Sequence, residues 1–160
     1  MLSEPKLEQR PMRHYVSIHA KARIQDLPQI LGSMFDEVAQ WIEQHGIVPS
    51  GAPFMRYTVI DMDNELEFEV GEPVPENVRG DSRVQSGQMP GGRYLTAVYT
   101  GDSRHLMDAT AQFLDWAEKH HIQWNVNGNH WAGRFEFYLS NPDQEPDWSK
   151  HRTELAFLTA

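Results

Sequence analysis

Two stretches of the chain repeat apolar residues at three- and four-residue steps. Leu27, Ile30, Leu31, Met34, Phe35, Val38, Trp41 and Ile42 make the first, and Leu106, Ala109, Phe113, Trp116 and Ala117 the second. That spacing lays an apolar stripe along an α-helix. Asp26, ahead of Leu27 and Pro28, is placed to cap the first helix, Asp102 or Ser103 to cap the second, and Gly46 to close the first with a left-handed residue. Elsewhere the period shortens to that of β-strands: YVSIHA (15–20), FMRYTVID (54–61), ELEF (65–68), RYLTAVYTG (93–101), FEFYLS (135–140) and ELAF (154–157). Within GRFEFYLSNPD (133–143), Phe135, Phe137 and Leu139 fall on one face of the strand, and Glu136 and Tyr138 on the other.

The pattern occurs twice. QWIEQHGI (40–47) and DWAEKHHI (115–122) match at Trp41/Trp116, Glu43/Glu118, His45/His120 and Ile47/Ile122. Each ends a predicted helix with a strand before it and two after it, Phe54 and Tyr57 running parallel to Phe135 and Tyr138. The expectation is an α+β fold: duplicated strand–helix–strand–strand units in a pseudo-twofold, two-lobe domain with a central groove. An N-terminal arm (1–12) precedes a single domain (13–160), divided into a first repeat (13–72), a proline- and glycine-rich linker (73–92) and a second repeat (93–158). Two units are too few for a solenoid, and ligand sites commonly lie in the cleft between paired lobes.

Composition narrows the chemistry. A chain of 160 residues without cysteine has no thiol nucleophile, zinc–thiolate site or disulfide framework. A formal charge of −9 disfavours direct contact with nucleic acid. No signal peptide and no run of apolar residues long enough for a membrane span is found, so the expected setting is cytoplasmic. The eight histidines form no two-histidine helical metal motif, the run Asp61, Asp63, Asn64 reads as a hairpin turn, and no phosphate loop or serine elbow is present. Neither a metal nor another cofactor is expected.

Taken in order, GAPFMRYTV, EFEVGEPV, MPGGRYLTAVYTG and RFEFYLSNPD followed by TEL resemble the GyrI-like family, the effector-binding domain of bacterial transcription activators, over about residues 13–158. The closing TELAFLTA lacks the proline often found there. The resemblance implies an aromatic-lined groove with a buried acid that reads lipophilic cations, and maps the acid to Glu136. Only a dozen residues precede the first strand, too few for a helix-turn-helix, so a free-standing copy is expected.

The candidate ligand-binding residues are therefore Glu136, Tyr138, Tyr57, Trp131, Tyr99 and Phe68, with Trp41 and Trp116 as core and Glu154 or Glu65 as a possible second acid. The expected partner is a small hydrophobic or cationic molecule. Two alternatives stay open. In the first, Glu136 and Tyr138 act as an acid/base pair hydrolysing strained alkylating toxins. In the second, the acidic surface docks on a basic protein partner such as gyrase.

Overall fold

A computed structural model describes residues 1–160. Ten strands join in one antiparallel sheet, and two helices pack on one of its faces. In chain order the elements are β1 (Lys6–Arg10), β2 (Arg13–Ala22), α1 (Leu27–Gln44), β3 (Phe54–Ile60), β4 (Leu66–Val74), β5 (Gln85–Met89), β6 (Gly92–Thr100), α2 (Leu106–Lys119), β7 (Val126–Asn127), β8 (His130–Trp131), β9 (Arg134–Tyr138) and β10 (Arg152–Leu158). No helix is long and apolar enough to cross a membrane.

The main sheet runs β1-β6-β10-β9-β3-β4-β2-β5. Read outward from the β9–β3 pair, the two sides present the same sequence of roles. β10, β6 and β1 lie on one side, and β4, β2 and β5 on the other. Tyr15 of β2 and Tyr94 of β6 hold matching places, as do Val70 of β4 and Leu155 of β10. By this register the counterpart of Glu154 is Glu69.

β1 and β5 were not expected. Residues 6–10 lie in the stretch read as an arm, yet they pair with β6; residues 85–89 lie in the stretch read as a linker, yet they pair with β2. Each is therefore an outermost strand added to the opposite half of the sheet.

The helices form where the apolar stripes fall. Leu27, Met34, Val38, Trp41 and Ile42 bury one face of α1 against β2 and β4, with Ile18, Phe68 and Val70 beneath. Phe113 and Ala117 of α2 pack on Leu95, Ala97, Leu155 and Phe157 of β6 and β10. Both helices end alike: His45 and His120 stack on Trp41 and Trp116, and each Nδ1 lies within hydrogen-bond distance of that tryptophan's carbonyl oxygen. Gly46 is left-handed, as expected, with φ of 65°. Neither aspartate caps its α-helix, because a short 3-10 turn leads into each, Ile24–Asp26 ahead of α1 and Ser103–His105 ahead of α2; Asp102 caps that second turn, accepting from the Arg104 amide at 2.9 Å.

No helix covers the other face, yet Tyr15, Phe54, Phe135 and Tyr94 are buried there. The sheet curls around them, so that face forms a second, aromatic core.

Candidate functional site

β9 and β3 form the middle of the sheet, between the ground covered by α1 and that covered by α2. Alternation along β9 sends Phe135 and Phe137 into the aromatic core and Arg134, Glu136 and Tyr138 to the helix side. Glu136 sits opposite Met55 on β3 and Leu155 on β10. Neither neighbour can hydrogen-bond a carboxylate well, and the side chain is only 7% exposed.

Two phenols supply what the strand neighbours lack. Tyr138 donates to Glu136 Oε1 at 2.8 Å and Tyr57 donates to the same oxygen at 3.4 Å. A β-bulge follows Tyr57, where the β3–β4 register shifts before Val59. Burial pushes the Glu136 carboxyl above the usual carboxylate range, against the pull of the Tyr138 hydrogen bond, the Arg134 charge and the Tyr57 hydrogen bond. Both tyrosines are pushed well up, first by burial and then by the neighbouring carboxylate. The arrangement is a buried acid biased toward its protonated form, within reach of two hydroxyls.

Arg134 completes the group, and the sequence reading passed over it although the same alternation places it beside Glu136. Its guanidinium carbon lies 4.5 Å from the Trp131 ring centre, 4.5 Å from that of Phe157 and 5.8 Å from that of Tyr57. Its Nε is buried without a hydrogen-bond partner, and burial lowers its pKa.

The structure thus brings together Glu136, Tyr138 and Tyr57, with Trp131 close by over Arg134. It does not bring in the rest. Phe68 is fully buried beneath α1, opposite Tyr57 on β4, because its strand position faces the helix core. Tyr99 lies at the end of β6 and donates to the Asp102 carbonyl at 2.9 Å, anchoring the turn into α2. Glu154 points to the opposite side, where Arg10 grips it at 2.9 and 3.0 Å, and Glu65 is an exposed residue just before β4. Trp41 is buried and Trp116 half-buried, each on its helix's packed face.

The expected hollow is filled by the protein's own side chains. Phe35 of α1 packs edge-on against Tyr138 with ring centres 5.5 Å apart, half-buried Tyr57 and Tyr138 hold the carboxylate, and Arg134 stacks on Trp131 beside them. A carboxylate among apolar neighbours recruits whatever donors are in reach, since burying it unpaired costs several kcal/mol. Two hollows lie elsewhere. One of about 440 Å³ is lined by Leu114, Glu118, His121, Ile122, Gln123 and Trp124, at the end of α2. The other, about 10 Å³, adjoins Tyr94, Phe135 and Phe137 on the helix-free side. That side also carries a polar cluster in which Tyr15 and Ser17 donate to Glu69 and Arg56 donates to Tyr15. No three histidine, aspartate or glutamate side chains are grouped as a metal site.

A sequence model of the GyrI-like small molecule binding domain matches residues 3–157. No curated protein matches the chain. Among solved structures, the EcmrR C-terminal domain superposes with a TM-score of 0.78 at 14% identity, covering 98% of this chain and 97% of that one. EcmrR in its complex with DNA gives 0.80 at 15% identity over 98% of this chain, which spans only 57% of the EcmrR chain. SAV2435 bound to tetraphenylphosphonium gives 0.67 at 12% identity, covering 99% and 94%. A hydrolase from Listeria innocua gives 0.62 at 14% identity, covering 98% and 92%. At these identities the likeness is one of fold.

Proposed function

The chain belongs to the GyrI-like small molecule binding domain family, and from that premise we propose that it binds lipophilic aromatic molecules between α1 and α2, with Glu136 as the charged anchor. The observation that carries this reading is the buried Glu136 carboxylate, held by Tyr138 and Tyr57 between Met55 and Leu155 of the neighbouring strands. A cationic or donor group on the ligand would neutralise the acid, while Tyr57, Tyr138 and Trp131 offer ring faces. Each cation–ring contact contributes about 0.5–2 kcal/mol, so a few of them support micromolar rather than picomolar affinity. Tetraphenylphosphonium, the ligand of SAV2435, is a molecule of this kind. Binding requires Phe35 and the rim tyrosines to swing aside, because the resting site is closed. The symmetric strand order supports, on the same reading, an origin by duplication of one unit.

The proposed role is the ligand-reading one. EcmrR meets DNA as a chain of which this one spans 57%. A net charge of −9 sets these residues against direct contact with phosphates.

Tryptophan-quenching titrations with a panel of aromatic cations test the proposal. Glu136→Gln is expected to weaken binding by about tenfold or more. Equal affinities for wild type and variant would overturn it.

A second reading has one specific observation in its favour: an acid pushed up by burial, 2.8 Å from a phenol, is an acid/base pair. The protein would then add water to a strained electrophile. Mass spectrometry of a reactive cyclopropane incubated with the protein decides it, a water adduct supporting hydrolysis and an unchanged compound contradicting it.

A further inference from the structure

Arg134 is a half-buried cation on the face of Glu136 to which the fold gives ring faces but no hydrogen bond. Of the other half-buried arginines of the sheet, Arg10 binds Glu8 and Glu154, and the terminal nitrogens of Arg56 donate to Tyr15, Gln88 and Ala132, although its Nε is also without a partner; Arg13 lies beside Arg10 on the opposite, helix-free side. Arg134 stands over Trp131, Phe157 and Tyr57, its Nε has no partner, and the acid two residues away is hydrogen-bonded by tyrosines instead. A guanidinium held over ring faces keeps its planar fork of donors ordered, and that fork matches a carboxylate or a similar acceptor. A buried donor with no acceptor is costly, and a ligand that supplies one recovers the loss.

We propose that Arg134 is a second anchor of the same groove, opposite in sign to Glu136, so that the preferred ligand is an amphoteric aromatic molecule. Its cationic or donor end faces Glu136 and its anionic or acceptor end faces Arg134. Two residues along a strand separate the anchors by roughly 7 Å, about the width of a fused ring system. A plain cation in this groove meets Arg134 as a like charge and leaves the guanidinium unpaired. A ligand bearing both groups answers both anchors. This assignment rests on the ligand-binding reading above and narrows its ligand class.

The test compares two fluorescent probes of one shape: an aminoacridine, and the same aminoacridine carrying a ring carboxylate. Wild type is expected to bind the carboxylate form about tenfold more tightly. Arg134→Met is expected to abolish the preference by weakening that form, and Arg134→Lys to keep part of it. Equal binding of the two probes by wild type, which needs no variant, would overturn the proposal and leave ligand binding standing. A preference that survives in Arg134→Met would also overturn it. If wild type binds neither probe, the ligand-binding reading fails and this inference with it.

Discussion

Glu136 and Met55 face each other across the β9–β3 pair, at the middle of the symmetric strand order. A thioether is a poor partner for a carboxylate, so the acid turns to Tyr138 along its own strand and Tyr57 across the pair. The carboxyl's protonation then bears on stability. Burial raises its folded pKa above the ordinary 4.5. Between that value and the higher one, the folded chain holds a proton that the unfolded chain has lost. The contribution of this group therefore falls as pH rises through the window. Glu136→Gln removes the dependence. Urea denaturation is expected to show the variant close to wild type near about pH 4 and more stable by about 1 kcal/mol or more near about pH 8. A gap that narrows with rising pH would contradict the burial account.

The two tyrosines should not be equivalent. Tyr138 donates to Glu136 at 2.8 Å and Tyr57 at 3.4 Å. Tyr138→Phe is expected to cost about 1–3 kcal/mol and Tyr57→Phe less. Denaturation at neutral pH gives the order. A larger cost for Tyr57→Phe would show that the long bond carries the carboxylate.

α2 closes on His121 with φ of 57°, where α1 closes on Gly46 with φ of 65°. A side chain in that region is strained and glycine is not, although glycine also gives the unfolded chain more freedom. His121→Gly is therefore expected to stabilise by about 0.5–1 kcal/mol, seen as a higher melting temperature. A lower one would mean that the imidazole itself contributes.

The Arg10–Glu154 fork, at 2.9 and 3.0 Å, ties the outermost strand β1 to β10 across β6. Glu154→Gln is expected to cost about 1–2 kcal/mol and to speed amide exchange in residues 6–10 while leaving β9 protected. Faster exchange across the whole sheet would instead mean that β1 unfolds only with the rest.

The elements legible in the sequence are those whose side chains carry the pairing. The Leu27–Ile42 stripe gave α1, and alternation put Glu136 with Tyr138. β1 and β5 read KLEQR and QSGQM. As edge strands they join through backbone bonds and carry no regular apolar face, so no periodicity marks them. Phe68 and Tyr99 show the limit on the site side: an aromatic on a strand can fill a core or tie a turn as readily as line a groove. Arg134 had the same register signal as Glu136, but its ring partners come from β8, β10 and β3, which only the tertiary fold assembles.

A structure of the protein with an aminoacridine bound bears most directly on the whole account. The ring should lie between α1 and α2, displacing Phe35 from Tyr138, with its amine in hydrogen-bond contact with Glu136. A ring lodged instead in the cavity lined by Leu114, Ile122 and Trp124, with Tyr138 still on Glu136, would contradict it.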